Sequence, residues 1–359
     1  MTTPLASHCE CAATSLLASR NPLAPPFDKG GTGGGFESTA PTPLREIHYV
    51  MGTLLEITLY HESQEEGKRV LARCFQEARR LEDIFSVYDD DSDLSRLNRH
   101  AGSGPVEINQ ELWSVIEMSL RLGRETEEAM NITVGPLNDL WRAAEEQGTF
   151  PSPASVTEAL GRMGIAKVQL LPDGRAALRQ AGMRLDLGGI GKGYAVDILT
   201  AILVQAGVAS AFINFGRSSL AAVGSPPERE GWPVLLGSDD STPIGLVHLK
   251  DQHLSISSSF GRSFEIEGTR LGHLFDPRHG FPVRNLILGV AVARTATEAE
   301  ALTKALVILG PTRGFAVVTR FSKAEGLLTY SSGSQVSTSG FIETVRFETT
   351  AAIVREGIS

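Results

Sequence analysis

The run Leu185-Asp186-Leu187-Gly188-Gly189-Ile190-Gly191-Lys192-Gly193-Tyr194-Ala195-Val196-Asp197 places four glycines in the six positions 188–193. So many glycines are costly inside a strand or a helix, so they mark a junction between elements. An apolar run precedes them. After them Tyr194, Val196, Ile198, Leu199, Ile202 and Leu203 recur at a spacing near 3.6 residues, which predicts an amphipathic helix. With no Cβ in the way, the turn can lie close against a ligand, and the helix N-terminus beyond it offers unpaired N–H groups and a positive dipole end. Lys192 adds a full positive charge, so the stretch suits a phosphorylated ligand. It is neither a P-loop, since Lys192 is followed by Gly193, nor the Gly-x-Gly-x-x-Gly dinucleotide fingerprint, since Gly189, Gly191 and Gly193 are spaced by two. The same residues also suit a turn that merely packs a helix closely on a strand, and the run alone does not choose.

A chain of 359 residues predicts one large or two modest domains. Its net charge of −9 argues against general binding to nucleic acid or to anionic membrane surfaces, which favour basic faces. Cys9, Cys11 and Cys74 do not make a disulfide framework, and Cys9-x-Cys11 is too short and isolated for a zinc site. No run of 18 apolar residues is present, so no membrane span is expected. Residues 21–37 are rich in Pro and Gly and cannot bury a core. Residues 1–45 read as a disordered extension without a secretory or lipoprotein signal, which makes a cytoplasmic location the expectation, and residues 46–350 read as the folded domain.

Along that domain, Ile47, Tyr49, Met51, Leu55, Ile57 and Leu59 alternate as in a strand, with Gly52 marking a bulge or a close approach. Residues 64–85 switch to a helical stripe of Val70, Leu71, Cys74, Phe75, Ala78, Leu81, Ile84 and Phe85. The aspartates of 89–93 lack the Gly and closing Glu of a calcium loop and read as a solvated loop ending in a capped turn. A second amphipathic helix is predicted over 109–129 and a hairpin around Pro172-Asp173-Gly174. Short strands follow the glycine run at 211–215, 220–223, 234–237, 246–249, 254–258 and 286–293. A helix over 297–309 is stopped by Gly310-Pro311. Hairpins outnumber βαβ units, so the fold class is α+β.

Five landmarks occur in order: Met51-Gly52-Thr53; Phe85-Ser86-x-Tyr88 with Ser92-x-x-Ser95-x-x-Asn98; Thr133-Val134-Gly135-Pro136-Leu137 to Trp141; Asp186 to Asp197; and His273-x-x-Asp276-Pro277-x-x-Gly280. Together they resemble the ApbE family of FAD:protein FMN transferases over roughly 46–345. The resemblance implies the ApbE-like α+β fold. It implies transfer of the FMN half of FAD to a Ser or Thr hydroxyl of an acceptor protein, releasing AMP, with Mg²⁺ at the pyrophosphate. It places FAD across Met51, Tyr88, Trp141, Asp186, Gly188, Gly189, Gly191, Lys192 and His273. Lys192 would supply charge to the phosphates. His273 would take the hydroxyl proton, and Asp276 behind it would orient the ring. Tyr88 and Trp141 would stack on a flavin or adenine ring, although each is also a plausible core residue.

The metal site departs from the family pattern. Where the family has Asp-Ala-Leu-Ser-Thr on a late helix, this chain reads Glu300-Ala301-Leu302-Thr303-Lys304. Glu300 can still ligate Mg²⁺, Thr303 can take the lost Thr's role through a small helix rotation, and charged Lys304 cannot ligate at all. Two local readings compete: Thr297-x-x-Glu300 as a capping box, and Glu300–Lys304 as an i,i+4 ion pair with the ammonium in the metal's place. Arg217 and Phe260 also stand where the family has other residues. A flavin-binding protein without catalysis, or a flavin-free interaction protein, is the alternative that Lys304 raises.

Overall fold

The computed structural model describes residues 42–237, 243–258, 263–283 and 286–349. The readings made for residues 1–41, and for Ser259, Phe260 and Gly261, lie outside the described residues. Its frame is an eight-stranded sheet: β1 (Leu44–Val50), β2 (Thr53–Tyr60), β3 (Ser210–Phe215), β4 (Ser219–Val223), β5 (Gln252–Ser258), β6 (Leu286–Ala293), β7 (Glu325–Tyr330) and β8 (Gln335–Ser337). Each strand pairs antiparallel with the next in chain order, so the sheet is a meander and all complexity sits in what is inserted between its strands.

The largest insertion, between β2 and β3, carries helices α1 (Gln64–Phe85), α2 (Asp93–Arg99), α3 (Gln110–Glu125), α4 (Gly135–Gln147), α5 (Pro153–Gly161) and α6 (Gly191–Gln205). It also holds a small sheet of Val106–Glu107, Arg175–Leu178 and Val168–Leu170. Between β5 and β6 stand two hairpins, Ser263–Ile266 with Thr269–Gly272 and Phe275–Asp276 with Phe281–Pro282. Helix α7 (Ala296–Val318) joins β6 to β7, and Gly310 (φ 74°, ψ −174°) breaks it just before Pro311, where the sequence expects a stop.

One core is built from the predicted α1 stripe, the apolar residues of α6 and the inner face of β2 and β3: Leu71, Cys74, Leu81, Leu199, Leu203, Leu55, Ile57 and Ile213 are all inaccessible to solvent. Burial pushes the Cys74 thiol up to about 12, which makes it an inert core residue. The second core lies between α7 and the other half of the sheet, with Ala291, Leu302, Leu306 and Leu328. By length and composition α7 is apolar enough to cross a bilayer, the one such helix among the described residues. Here half of its most apolar window is buried within the fold, and it carries Glu298, Glu300 and Lys304.

Three readings of the N-terminal strands are corrected. β1 begins at Leu44, inside the stretch assigned to the extension, and its phase is opposite to the one expected: Ile47 and Tyr49 face solvent while Val50 is buried. Met51 and Gly52 are not part of a bulged strand. They form the two-residue turn between β1 and β2, with Val50 paired to Thr53 and both φ angles positive (50° and 73°).

Gly193 shows what a glycine is for at a helix crossing. A Cβ there would lie 2.7 Å from the carbonyl oxygen of Ala296 and 2.9 Å from Cγ of Glu300, so α6 and α7 touch backbone to backbone at this point. Gly193→Ala is expected to destabilise the fold by about 1–3 kcal/mol as the helices are forced apart. Urea unfolding checks this, and an unchanged midpoint would show that the crossing yields freely.

Candidate active site

The glycine run emerges from a set of side-chain braces. Asn98 at the end of α2 donates Nδ2–H to the carbonyl of Leu185 (3.0 Å) and accepts the N–H of Leu185 (2.7 Å), so an amide side chain imitates a strand neighbour. Gly135 at the start of α4 lies so close to Arg184 that a Cβ would meet its carbonyl oxygen at 2.5 Å. Asp186 accepts the Gly188 N–H on Oδ1 (2.8 Å) and the Asn138 amide on Oδ2 (2.9 Å), closing an Asx turn at the head of the loop. Several landmark residues are thus scaffolding that fixes the loop.

The loop then enters α6. Ile190, at the cap, supplies no side-chain hydrogen bond, and the N–H groups of Gly189, Lys192 and Gly193 have no partner among the described residues. Lys192 Nζ is bonded to the Gly188 carbonyl (3.2 Å) and stands 3.9 Å from Glu300 Oε1. Gly188 is exposed, and Gly189 has only Lys304 Cε (3.7 Å) and Met130 Sδ (3.9 Å) near the place of a Cβ. Free N–H groups, a helix dipole and an ammonium therefore converge on one partly exposed turn, an arrangement suited to phosphate oxygens. Gly191 instead tightens the turn, its N–H bonded to the Leu187 carbonyl (2.6 Å).

Beneath the loop lies a buried ionic cluster. Glu300, with a side chain only 1% exposed, is paired with Lys304 on Oε2, receives the Ser219 hydroxyl on Oε1, and faces Lys192. Burial pushes the Glu300 carboxyl up, but the attraction of Lys304 and Lys192 and the hydrogen bonds from Lys304 and Ser219 outweigh it, so its pKa falls below the ordinary value. Burial depresses the Lys304 ammonium, and the pull of Glu300 does not fully restore it against repulsion from Lys192. The capping-box reading of Thr297 and Glu300 is corrected. The cap is Thr295, whose hydroxyl accepts the Glu298 N–H (3.1 Å), while Asp197 accepts from the backbone N–H groups of Ala296 (2.6 Å) and Thr297 (3.0 Å) and from the Thr297 hydroxyl. Glu300 is thereby left to face the loop.

A divalent ion does not fit these residues. Glu300 has both oxygens committed. Thr303 Oγ1 is turned to the Glu300 backbone carbonyl (2.8 Å) and to Ser255 Oγ (3.2 Å), away from the role expected of it. Among the described residues no group of three His, Cys, Asp or Glu side chains comes together to hold a metal.

The hairpin 275–282 is tied to the same scaffold. Trp141 donates Nε1–H to the Gly280 carbonyl (2.8 Å) and stacks on Phe275 at 5.5 Å between ring centres. Only 1% exposed, it is a core residue, and the expectation that it stacks on a flavin is corrected. Asn138, which holds Asp186, sits one turn before Trp141 on α4, so one helix positions both the glycine loop and this hairpin. His273 is exposed just before the hairpin. Asp276 does not orient it: Asp276 Oδ1 accepts from Arg278 Nε (2.8 Å) and the Arg278 N–H (2.9 Å), and Oδ2 faces His279 Nε2 (2.8 Å). Burial raises that carboxyl, but Arg278 and His279 more than offset it and hold it below the usual Asp value. Arg278 also reaches the Ile308 carbonyl on α7 (3.2 Å). Tyr88 is 83% exposed and presents a free ring face for stacking. Met51 is half-buried, its N–H held by Glu82 Oε1 (2.6 Å).

Ser219 and Met130 were not among the residues singled out from the sequence. Ser219 lies two residues beyond Arg217, and its partner Glu300 lies 81 positions away.

His253 Nε2 stands 3.8 Å from Asp197 Oδ1, beside the N-terminus of α7. Burial keeps the His253 pKa below its ordinary 6.5, although Asp197, the Arg294 backbone and Glu298 pull the other way. A depressed folded-state pKa gives stability that is present above about 6.5 and lost as pH falls through the folded value. The melting temperature is therefore expected to drop as pH is lowered from 7.5 towards 5.5, and His253→Gln is expected to flatten that drop. A variant with the wild-type slope would assign the dependence elsewhere.

Fold and site together define an α+β protein with a glycine-lined turn and a lysine at a helix N-terminus. The chain belongs to the ApbE family, whose profile matches residues 51–328. It is 30% identical over 256 residues to the FAD:protein FMN transferase of Escherichia coli (strain K12), covering 69% of this chain and 72% of that protein. It is 28% identical over 316 residues to the FAD:protein FMN transferase of Treponema pallidum (strain Nichols), covering 83% of this chain and 87% of that protein. The crystal structure of the ApbE protein of Thermotoga maritima superposes with a TM-score of 0.77 at 25% identity, over 85% of this chain and all of that one.

Proposed function

We propose that this chain is an FAD:protein FMN transferase, moving FMN from FAD to a Ser or Thr hydroxyl of an acceptor protein. The observation that carries the reading is the turn at 188–193, exposed at Gly188 and half-buried at Gly189 and Lys192, where unpaired N–H groups and the Lys192 ammonium converge. This cradle suits the FAD diphosphate, and Tyr88 offers a ring face for stacking. The acceptor oxygen attacks the phosphorus on the FMN side, a new O–P bond forms, the P–O–P bridge breaks, and AMP leaves with the bridging oxygen. Lys192 and the loop N–H groups stabilise charge on the phosphoryl oxygens, and His273 takes the hydroxyl proton.

Family membership and the two transferase relatives support the reading. The location we propose is the cytoplasm. Chromatography of FAD incubated with the full chain, with and without an acceptor domain bearing a flavinylation Thr, tests the function. Acceptor-dependent AMP release is expected. Intact FAD in both incubations would overturn the transferase reading and leave a flavin-binding or flavin-free protein.

A further inference from the structure

The cluster at Glu300 contains two ammonium groups and one carboxylate, held in a site that water barely reaches. Lys304 runs up α7 so that its Cε lies 3.7 Å from the place of a Gly189 Cβ, directly under the loop. One of its three N–H bonds goes to Glu300 Oε2, and no other hydrogen bond of this ammonium occurs among the described residues. Lys192 reaches the same carboxylate from the loop side. One carboxylate cannot neutralise two ammonium groups, so the cluster carries one surplus positive charge at the turn where the diphosphate is placed. A divalent cation brought to Glu300 would have to displace Lys304 or sit beside two like charges, with Thr303 facing Ser255 and, among the described residues, no group of three His, Cys, Asp or Glu side chains to hold it.

Resting on the transferase reading, we propose that the Lys304 ammonium, seated on Glu300, does the work of a divalent cation. Lys304 and Lys192 together neutralise the diphosphate of FAD, and FAD binding and transfer in this chain need no metal. Glu300 is then a positioning residue, holding Lys304 under the loop, with Ser219 fixing the carboxylate in turn.

The test uses the full chain, stripped with chelator. FAD binding is followed by quenching of flavin fluorescence, in chelator and in Mg²⁺. Mn²⁺ binding to the protein is followed by electron paramagnetic resonance. The proposal expects FAD affinity to agree within about twofold between the two conditions, and no bound Mn²⁺. Lys304→Thr removes the ammonium and releases Glu300. Affinity in chelator should then fall by about ten- to hundredfold, the worth of one charge-assisted phosphate contact, with recovery on adding Mg²⁺. A protein that retains its fold while losing both charges, Glu300→Gln with Lys304→Met, should lose affinity similarly with no rescue by metal.

Wild-type FAD binding that collapses in chelator, or a bound Mn²⁺ signal that Glu300→Ala abolishes, would overturn the ammonium proposal while leaving the transferase reading intact. Unchanged affinity of the folded Lys304→Thr protein in chelator would also overturn it. Absence of FAD binding under every condition would sink both readings at once.

Discussion

Lys192→Ala is expected to lower acceptor-dependent AMP release by about two to three orders of magnitude, the usual loss when a donor aimed at a developing oxyanion is removed. The reason is positional. The Lys192 ammonium stands at the head of α6, 3.2 Å from the Gly188 carbonyl, where the loop N–H groups converge. Its side chain is 20% exposed, and Glu300 keeps Lys304 and Ser219 when Lys192 is gone. The cost in stability should therefore stay within about 1 kcal/mol. Turnover and urea unfolding on one preparation separate the two effects. A large stability loss with proportionate loss of activity would make Lys192 a structural residue, and near-normal turnover would move the phosphates elsewhere.

Asp197→Ala should show the reverse signature. Its carboxylate accepts from two backbone N–H groups and a hydroxyl at the N-terminus of α7, and so locks α6 to α7. Removing it strands donors that water reaches poorly, at about 1–3 kcal/mol for each unsatisfied group, so a total near 3–5 kcal/mol is expected. That is a large share of the stability of a domain. Asp197→Asn keeps one acceptor oxygen and should lose roughly half as much. Chemical unfolding measures both. Equal losses for Ala and Asn would make the charge at the helix N-terminus the main term, and a negligible loss for both would show that α7 caps itself.

The sequence made the α1 stripe legible because Val70 to Phe85 meet one partner surface along a single helical face. The stop at Gly310-Pro311 was legible for an equally local reason. The phase of β1 was not, because Ile47 and Tyr49 are apolar residues that the sheet leaves outside, and alternation does not say which side faces the core. At the site, the glycine run was visible as a run, but its members do different things: Gly188 and Gly189 leave the turn open, Gly191 tightens it, and Gly193 lets two helices touch. The part played by Gly193 depends on the arrival of α7, about a hundred residues later in the chain. Trp141 read as a residue that stacks on the ligand and Asp276 as the group that orients His273, because the contacts that hold them lie far along the chain or across a turn. Their partners Phe275, Gly280 and Arg278 turn them into braces. Lys304 was conspicuous as a departure, and its pairing with Glu300 follows from i,i+4 spacing alone. Ser219 and Lys192 complete that cluster from elsewhere in the chain, which spacing cannot show.

Transfer and hydrolysis differ in where the FMN ends up, and the intact mass of the acceptor domain after incubation with FAD and this chain separates them. An FMN-sized gain on a single Ser or Thr is expected, matched mole for mole by AMP and absent when that residue is replaced. AMP accompanied by free FMN, with the acceptor mass unchanged, would contradict it and identify a pyrophosphate hydrolase.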